Sequence, residues 1–210
     1  MSEDSERDAV VDALLQQVPF DGWTTKALRQ AFLAAGLNPD DAPLMFPGGT
    51  GEMISAFCGL ADERMAAAAE TADLAAYRVP ARVKAILAIR FEQNRGNKEA
   101  IGRAVAWLAL PMNVALATKI TAATVDAVWH AAGDKSADFS WYTKRGILAG
   151  VYASTLLFWL RDHSDEDEAT LSFLDRRLAD VGKIGGARRA VEERVRGIGE
   201  RLRGFIPRRA

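Results

Sequence analysis

The sequence predicts an all-α protein. Apolar residues recur with helical spacing along almost the whole chain, alanine and leucine are abundant, and no window alternates with the two-residue period of a strand. The chain has 210 residues, of which 49% are hydrophobic and 26% are charged. This composition is typical of a globular protein, and the length suffices for a sizeable core.

The first two helices are predicted from apolar stripes and from residues that end or cap helices. Val10, Leu14 and Val18 share one face of a helix over about residues 6–18, and the break at residues 20–22 ends it. Thr24 or Thr25 can cap the second helix through its side-chain oxygen. Gly36 ends that helix.

The middle of the chain is predicted to start with a short segment over residues 40–46. A glycine-rich turn over residues 47–51 follows, and then an alanine-rich helix over about residues 52–70. Pro80 suits the first position of another helix, and Asn97 can cap the next one.

The second half of the chain carries the longest predicted helices. Pro111 starts or kinks a helix that lasts to about Ala132. Asp138 or Ser140 can cap a long helix that ends near Asp162. An acidic turn then leads into a ninth helix that reaches about residue 181, and glycines form a hinge before the last helix.

Two charge-free stretches, residues 104–118 and 146–160, are apolar on nearly every side, so we expect both to be buried. They form either a filled core or the walls of an apolar pocket for a long-chain ligand. The apolar pattern of the sequence is the same in these two cases. The residues that we assign to such a lipid pocket are Trp107, Leu108, Met112, Leu116, Leu148, Val151, Tyr152 and Leu156. No cofactor is expected, and the ligand of such a pocket would be a bound lipid.

The C-terminal residues 183–210 predict a basic amphipathic helix. From Gly186 onward the chain has eight Arg and three Glu, whereas its overall formal charge is −1. Such a helix lies in a membrane interface, although packing on its own domain or on a dimer mate is the alternative. The expected membrane contacts are the apolar stripe and neighbouring arginines: Val191, Val195, Ile198, Leu202, Phe205, Arg196 and Arg203.

The residues of catalytic and metal sites are scarce. Cys58 is the only cysteine, and His130 and His163 lack metal-ligand spacing. The Gly-Gly-Thr-Gly segment lacks the lysine of a phosphate-binding loop. The sequence therefore predicts neither a catalytic residue nor a metal site. The polar, acidic first residues are unlike a signal peptide, which leads us to expect a cytoplasmic protein.

The segment from Ala127 to Asp162, AVWHAAGDKSADFSWYTKRGILAGVYASTLLFWLRD, carries the most specific motifs. Together with the following ATLSFLDRRLADV, it resembles the ubiquinone-biosynthesis accessory proteins of the Coq nine family. The resemblance extends upstream through LPMNVALATKI to the N-terminal helices, and so covers essentially the whole chain.

This resemblance implies a TetR-like helical bundle. Residues 1–75 correspond to a helix-turn-helix unit, residues 76–182 to a lipid-binding domain, and residues 183–210 to the membrane-contact helix. It also implies a homodimer, peripheral on the inner face of the cell membrane, that presents a polyprenylated quinone intermediate to the di-iron demethoxyubiquinone hydroxylase. The residues that match the family's patch for this partner are Asp138, Phe139, Trp141, Tyr142 and Arg145. A contact of Trp141 with its own domain is the alternative.

A DNA-binding regulator with an apolar ligand is the rival function from another class. A recognition helix needs basic residues for the phosphates, but residues 38–46 contain two acids and no base. We therefore expect no nucleic-acid partner. An independent enzyme is a third class, against which the missing catalytic constellations argue.

Overall fold

The computed structural model describes residues 3–134 and 140–181, which form helices and connecting turns with no strand. This confirms the predicted all-α class. The helices are α1 (Glu3–Asp21), α2 (Thr25–Ala34), α3 (Ala42–Met45), α4 (Gly49–Thr71), α5 (Val79–Gln93), α6 (Lys98–Leu108), α7 (Val114–Ala131), α8 (Ser140–Trp159) and α9 (residues 168–181).

The α1–α2 corner depends on a glycine and a threonine. Gly22 adopts φ +68°, a left-handed conformation that glycine reaches without steric cost. The Thr24 hydroxyl accepts a hydrogen bond from the backbone N–H of Ala27 at 3.2 Å, which confirms the predicted cap. α1 is longer than predicted, because it continues through Pro19 and the Gly22 N–H still donates to the Val18 carbonyl.

Two of the predicted helix starts are wrong. α4 begins at Gly49, within the predicted turn, and the Glu52 side chain accepts from the Gly48 N–H at 2.7 Å. Asn97 makes no capping hydrogen bond with its side chain. A short 3₁₀ turn, Arg95–Asn97, leads directly into α6, so that the Asn97 backbone is not in the extended conformation of a capping residue.

The expected all-round burial of residues 104–118 is also wrong. α6 ends at Leu108, a 3₁₀ turn occupies Pro111–Asn113, and α7 then runs at 94° to α6. The chain turns at the surface, where Met112 is 80% exposed and Leu110 and Val114 are also exposed. No single described helix has the length and apolar character needed to cross a membrane; only the bent pair meeting at this corner passes that test, by length and composition alone.

α4 is the central helix of the described part. It packs against α5 and α7, while α7 packs against α8 and α1 packs against α2 and α6. The buried side chains from α1 through α9 form one continuous cluster, with Trp159, Phe32 and Met53 among the largest. The domain division at residues 75 and 182 stays a prediction.

The junction between α8 and α9 is held by Asp162. Its carboxylate accepts hydrogen bonds from the N–H and hydroxyl of Ser164, at 2.9 and 2.7 Å, and from those of Thr170, at 2.8 and 2.6 Å. Burial opposes ionisation of Asp162, but the bonds from Thr170 and Ser164 outweigh it and hold its pKa well below its usual range. The charged carboxylate thereby stabilises the start of α9.

We expect Asp162→Asn to lower the free energy of unfolding by about 1–3 kcal/mol, because an amide cannot accept all four hydrogen bonds. Urea titration measures this loss. The folded-state pKa is lowered, so the carboxylate's contribution is full above its unfolded pKa of about 4 and is lost as the pH falls through the folded value. The difference between the two proteins should therefore shrink in acid.

Asp165→Asn is the matched control, since the Asp165 side chain is exposed and makes no hydrogen bond within the described residues. We expect it to change stability by less than about 0.5 kcal/mol. Equal losses for the two variants would contradict a specific role for Asp162.

Candidate functional site

An apolar cavity of about 310 Å³ lies among helices α4 to α8. This volume is at the lower end of the range of small-molecule pockets. Its walls are mainly aliphatic and aromatic side chains, including Phe57, Phe91, Ile101, Leu108, Leu156 and Trp159. Ala109, Ala153 and Leu157 also line it and are exposed, so the cavity reaches the surface at this rim.

A polar cluster, formed by Asp62, Arg90, Thr124 and Tyr152, borders the cavity. Arg90 forms a salt bridge with Asp62 through Nη1, and its Nε donates to the Tyr152 hydroxyl at 3.3 Å. The Thr124 hydroxyl donates to the second Asp62 oxygen at 2.9 Å. Arg90 is only 5% exposed. The cluster therefore links α4, α5, α7 and α8 through buried bonds.

Burial sets the protonation preferences around the cluster. It raises the pKa of the Tyr152 hydroxyl, which keeps this group a hydrogen-bond donor. Burial also raises the pKa of Asp62, against the opposing effects of Arg90 and Thr124. For Arg90, burial is outweighed by Tyr152 and Asp62, so that its pKa is raised and it stays charged.

Cys58 lines the same cavity, and burial raises the pKa of its thiol to about 11. The thiol is therefore protonated near neutral pH and is a poor nucleophile. No group of three or more His, Cys, Asp or Glu side chains suited to a metal ion occurs within residues 3–134 and 140–181. The described residues can therefore bind a ligand through the shape of the cavity and through hydrogen bonds.

The predicted pocket residues separate into three groups. Leu108, Tyr152 and Leu156 line the cavity. Leu148 and Val151 line a second apolar cavity of about 170 Å³. The remaining three are directed elsewhere: Trp107 and Leu116 contact α4 at Gly51, and Met112 lies exposed on the α6–α7 corner. The assignment of Met112 was wrong because Pro111 turns the chain away from the bundle.

Several cavity residues were missed, above all those of α4 and α5: Phe57, Cys58, Arg90, Phe91 and Asn94. One signal was available in the sequence. Arg90 follows Ile86 and Leu87 by four and three positions, so it lies on the buried stripe of its helix. A charged residue on such a stripe is a candidate for a functional or paired group.

The predicted partner patch is only partly described. Asp138 and Phe139 lie outside the described residues, as do all the predicted membrane contacts in residues 183–210. Trp141 and Tyr142 lie in the first turn of α8, but their side chains are not among those described. Arg145 Nε donates to Asp126 at 2.7 Å, and Asp134 lies 3.8 Å from the same guanidinium. Arg145 thus ties α8 to α7 and to the loop after it.

The N-terminal unit has a very short third helix. α3 contains four residues and is preceded by the 3₁₀ turn Pro39–Asp41. Arg29 of α2 pairs with Asp40 at 3.0 Å, which places an acid beside the basic group facing this segment. A four-residue helix without a base supplies few of the contacts that a recognition helix makes to DNA.

The family model described as COQ9 matches residues 114–185. The COQ9-B protein of Xenopus laevis is 31% identical over 202 residues, which cover 90% of this chain and 67% of that protein. The chain belongs to the COQ9 family. This confirms the resemblance to the Coq nine proteins. Rat COQ9 is 30% identical, and the match covers 91% of this chain but 63% of the rat protein, so the chain spans less than two thirds of that relative.

The fold is also similar to that of a solved structure, the TetR transcriptional regulator from Nitrosomonas europaea. The TM-score is 0.66 at 22% identity, and the match covers 82% of this chain and 95% of the regulator. The TetR-like fold is therefore confirmed. The rat and Xenopus COQ9 proteins are ubiquinone biosynthesis proteins of mitochondria by name.

The residues matched by the COQ9 model contribute one side of the cavity. α7, α8 and α9 fall within residues 114–185, including Thr124 and Tyr152 of the polar cluster. Asp62 and Arg90 lie upstream, on α4 and α5. The cluster thus joins the matched segment of this COQ9-family chain to the rest of its bundle.

We expect Arg90→Met alone to lower the free energy of unfolding by about 3–5 kcal/mol, because it leaves Asp62 buried without its cation. The double variant Asp62→Asn/Arg90→Met removes both charges and should recover a large part of that loss. Urea unfolding at neutral pH measures both. Asp62→Asn alone completes the comparison. A loss in the double variant equal to the sum of the losses in the two single variants would contradict the pairing.

Proposed function

We propose that this protein is a non-enzymatic, lipid-binding accessory protein of ubiquinone biosynthesis. It holds a polyprenylated quinone intermediate and presents it to the di-iron demethoxyubiquinone hydroxylase at a membrane. The observation that carries the proposal is the apolar cavity of about 310 Å³ in a chain of the COQ9 family. The relatives are named as ubiquinone biosynthesis proteins, which supports the choice of pathway. A protein with such a cavity can take part in that pathway by binding an intermediate, without catalysing a reaction.

The cavity suits an apolar chain attached to a small polar group. Most of its lining is aliphatic or aromatic, and burial of a prenyl chain there is favourable by about 25 cal/mol per Å² of apolar surface removed from water. The rim at Ala109, Ala153 and Leu157 gives a long tail a route to the surface. A tail longer than the cavity therefore extends beyond the rim, toward a membrane or a partner.

The start of α8 is the proposed contact for the hydroxylase. The salt bridges of Arg145 to Asp126 and Asp134 fix this end of α8 on its neighbours. The backbone of Trp141 and Tyr142 is thereby presented in the first turn of an anchored helix. Aromatic residues on a fixed support are favourable anchors for a protein interface, since little conformational entropy is lost on binding.

Membrane contact is assigned to the basic C-terminal residues 183–210, whose arginines suit anionic headgroups. We further propose that the protein is a homodimer, peripheral on the inner face of the cell membrane. In this arrangement the C-terminal residues bring the cavity close to the bilayer, where a polyprenylated quinone resides.

We expect organic extracts of protein purified without detergent to contain an isoprenoid or a quinone, detected by mass spectrometry. Ala117→Phe should reduce this yield severalfold, because Ala117 lines the cavity and a larger side chain there fills it. Ala115→Phe is the matched control on the same helix, since Ala115 is exposed and lies off the cavity. Extracts free of such lipids from the unmodified protein would overturn the proposed ligand.

We expect Trp141→Ala to weaken binding to the purified hydroxylase of the same organism by at least tenfold, as for an interface anchor worth about 2 kcal/mol. Co-extracted lipid should be unchanged. Surface plasmon resonance gives the affinity. Tyr77→Ala, which removes an exposed aromatic ring between α4 and α5, serves as the control. Unchanged affinity in Trp141→Ala would exclude this end of α8 as the contact.

A further inference from the structure

Arg90 and Tyr152 carry hydrogen-bond donors that the described part of the protein does not use. Arg90 donates through Nε and Nη1, yet no hydrogen bond leaves its Nη2 within residues 3–134 and 140–181. The Tyr152 hydroxyl accepts from Arg90 and donates to no described residue. The two residues are 5% and 8% exposed, and both line the cavity. An acceptor on a ligand in the cavity can therefore bind to these donors.

Asn94 adds an acceptor beside these donors. Its Nδ2 donates to the Arg90 carbonyl at 2.9 Å, and no described residue donates to its Oδ1. Asn94 is also buried and lines the cavity. The cavity lining therefore includes two kinds of donor and one acceptor, whereas most of its other side chains are apolar.

The charge beside these donors is balanced. Arg90 is paired with Asp62, so the two groups together carry no net charge. A carboxylate or phosphate in the cavity would bring a negative charge that no further cation among the described lining residues neutralises, and it would lie close to Asp62. A neutral oxygen acceptor, such as a carbonyl or an ether, can take the free donors without that cost.

Aromatic side chains lie beside the same donors. The Phe91 ring stacks with that of Tyr152 at 6.4 Å between centroids, and it lies 5.2 Å from the Trp159 ring. All three residues line the cavity. Flat side chains beside the donors favour a planar ring over a branched or bulky head group.

We propose that Arg90 and Tyr152 determine head-group specificity by binding the neutral oxygen acceptors of a planar ring, whose apolar tail runs along Leu108 and Leu156 toward the rim. Asn94 accepts a hydroxyl of the ring when the ligand carries one. This inference rests on the proposed lipid-binding function and adds the residues that hold the head group and the orientation of the ligand. It makes the polar cluster a recognition element as well as a link between helices.

Three probes with one tail test the proposal: decyl-para-benzoquinone, decylbenzene and decanoate. They share the decyl or near-decyl chain and differ in having a neutral ring with oxygens, a ring without oxygens, or an anionic head. Quenching of tryptophan fluorescence reports the quinone, because Trp159 lines the cavity. Displacement of the quinone gives the affinities of the other two. The protein is first delipidated and its thermal unfolding checked.

The unmodified protein should bind the quinone tighter than either other probe. Tyr152→Phe should weaken quinone binding roughly threefold to tenfold, as expected for one lost hydrogen bond, and leave decylbenzene unchanged. Asp62→Asn/Arg90→Met removes the second donor without leaving a buried charge, and should weaken the quinone by a similar factor. Tyr77→Phe is the matched control on an exposed tyrosine and should bind all probes as the unmodified protein does.

Equal quinone affinities for Tyr152→Phe and the unmodified protein would overturn the head-group role and leave the lipid-binding function standing. Tighter binding of decanoate than of the quinone would overturn the neutral head group and indicate a fatty-acid site. If none of the probes binds to the unmodified, delipidated protein, the proposed function fails, and this inference fails with it.

Discussion

The salt bridge between Asp62 and Arg90 is the interaction on which the arrangement of the bundle depends. It lies in an apolar interior, where neither charge is stable without its partner. Thr124 and Tyr152 bring α7 and α8 to the same pair, so four helices must keep their relative positions for the charges to stay satisfied. A wholly apolar contact would tolerate sliding of these helices, whereas a buried ion pair does not.

The cavity follows from the same constraint. Helices held apart by a guanidinium and an aromatic ring do not collapse onto one another, and small residues such as Ala104 and Ala117 leave the intervening space unfilled. The cavity is therefore polar at the end next to the cluster, and its lining is mainly apolar from there to the rim. The amphipathic ligand that we propose would stabilise this arrangement by filling the space and by accepting hydrogen bonds from the unused donors.

The N-terminal unit combines a fold shared with a transcriptional regulator and a very short third helix. The TetR regulator of Nitrosomonas europaea has the same fold, yet the third helix of this chain has four residues and follows two acids. The α1–α2 corner of this unit is set by Gly22 and the Thr24 cap. What the corner supports here is packing of α1 on α6, next to one wall of the cavity.

The sequence by itself determined the all-α class, the capped start of α2 and the membership indicated by the motifs between Ala127 and Asp162, because helical periodicity, capping and motifs are local properties. It also predicted Leu108, Tyr152 and Leu156 as pocket residues, and all three line the cavity. Only the tertiary structure decided that Met112 lies outside and that Arg90 pairs with Asp62, 28 positions away, because both depend on how distant segments meet. Local patterns specify which face of a helix is apolar, but the partners of that face are set by packing across the chain.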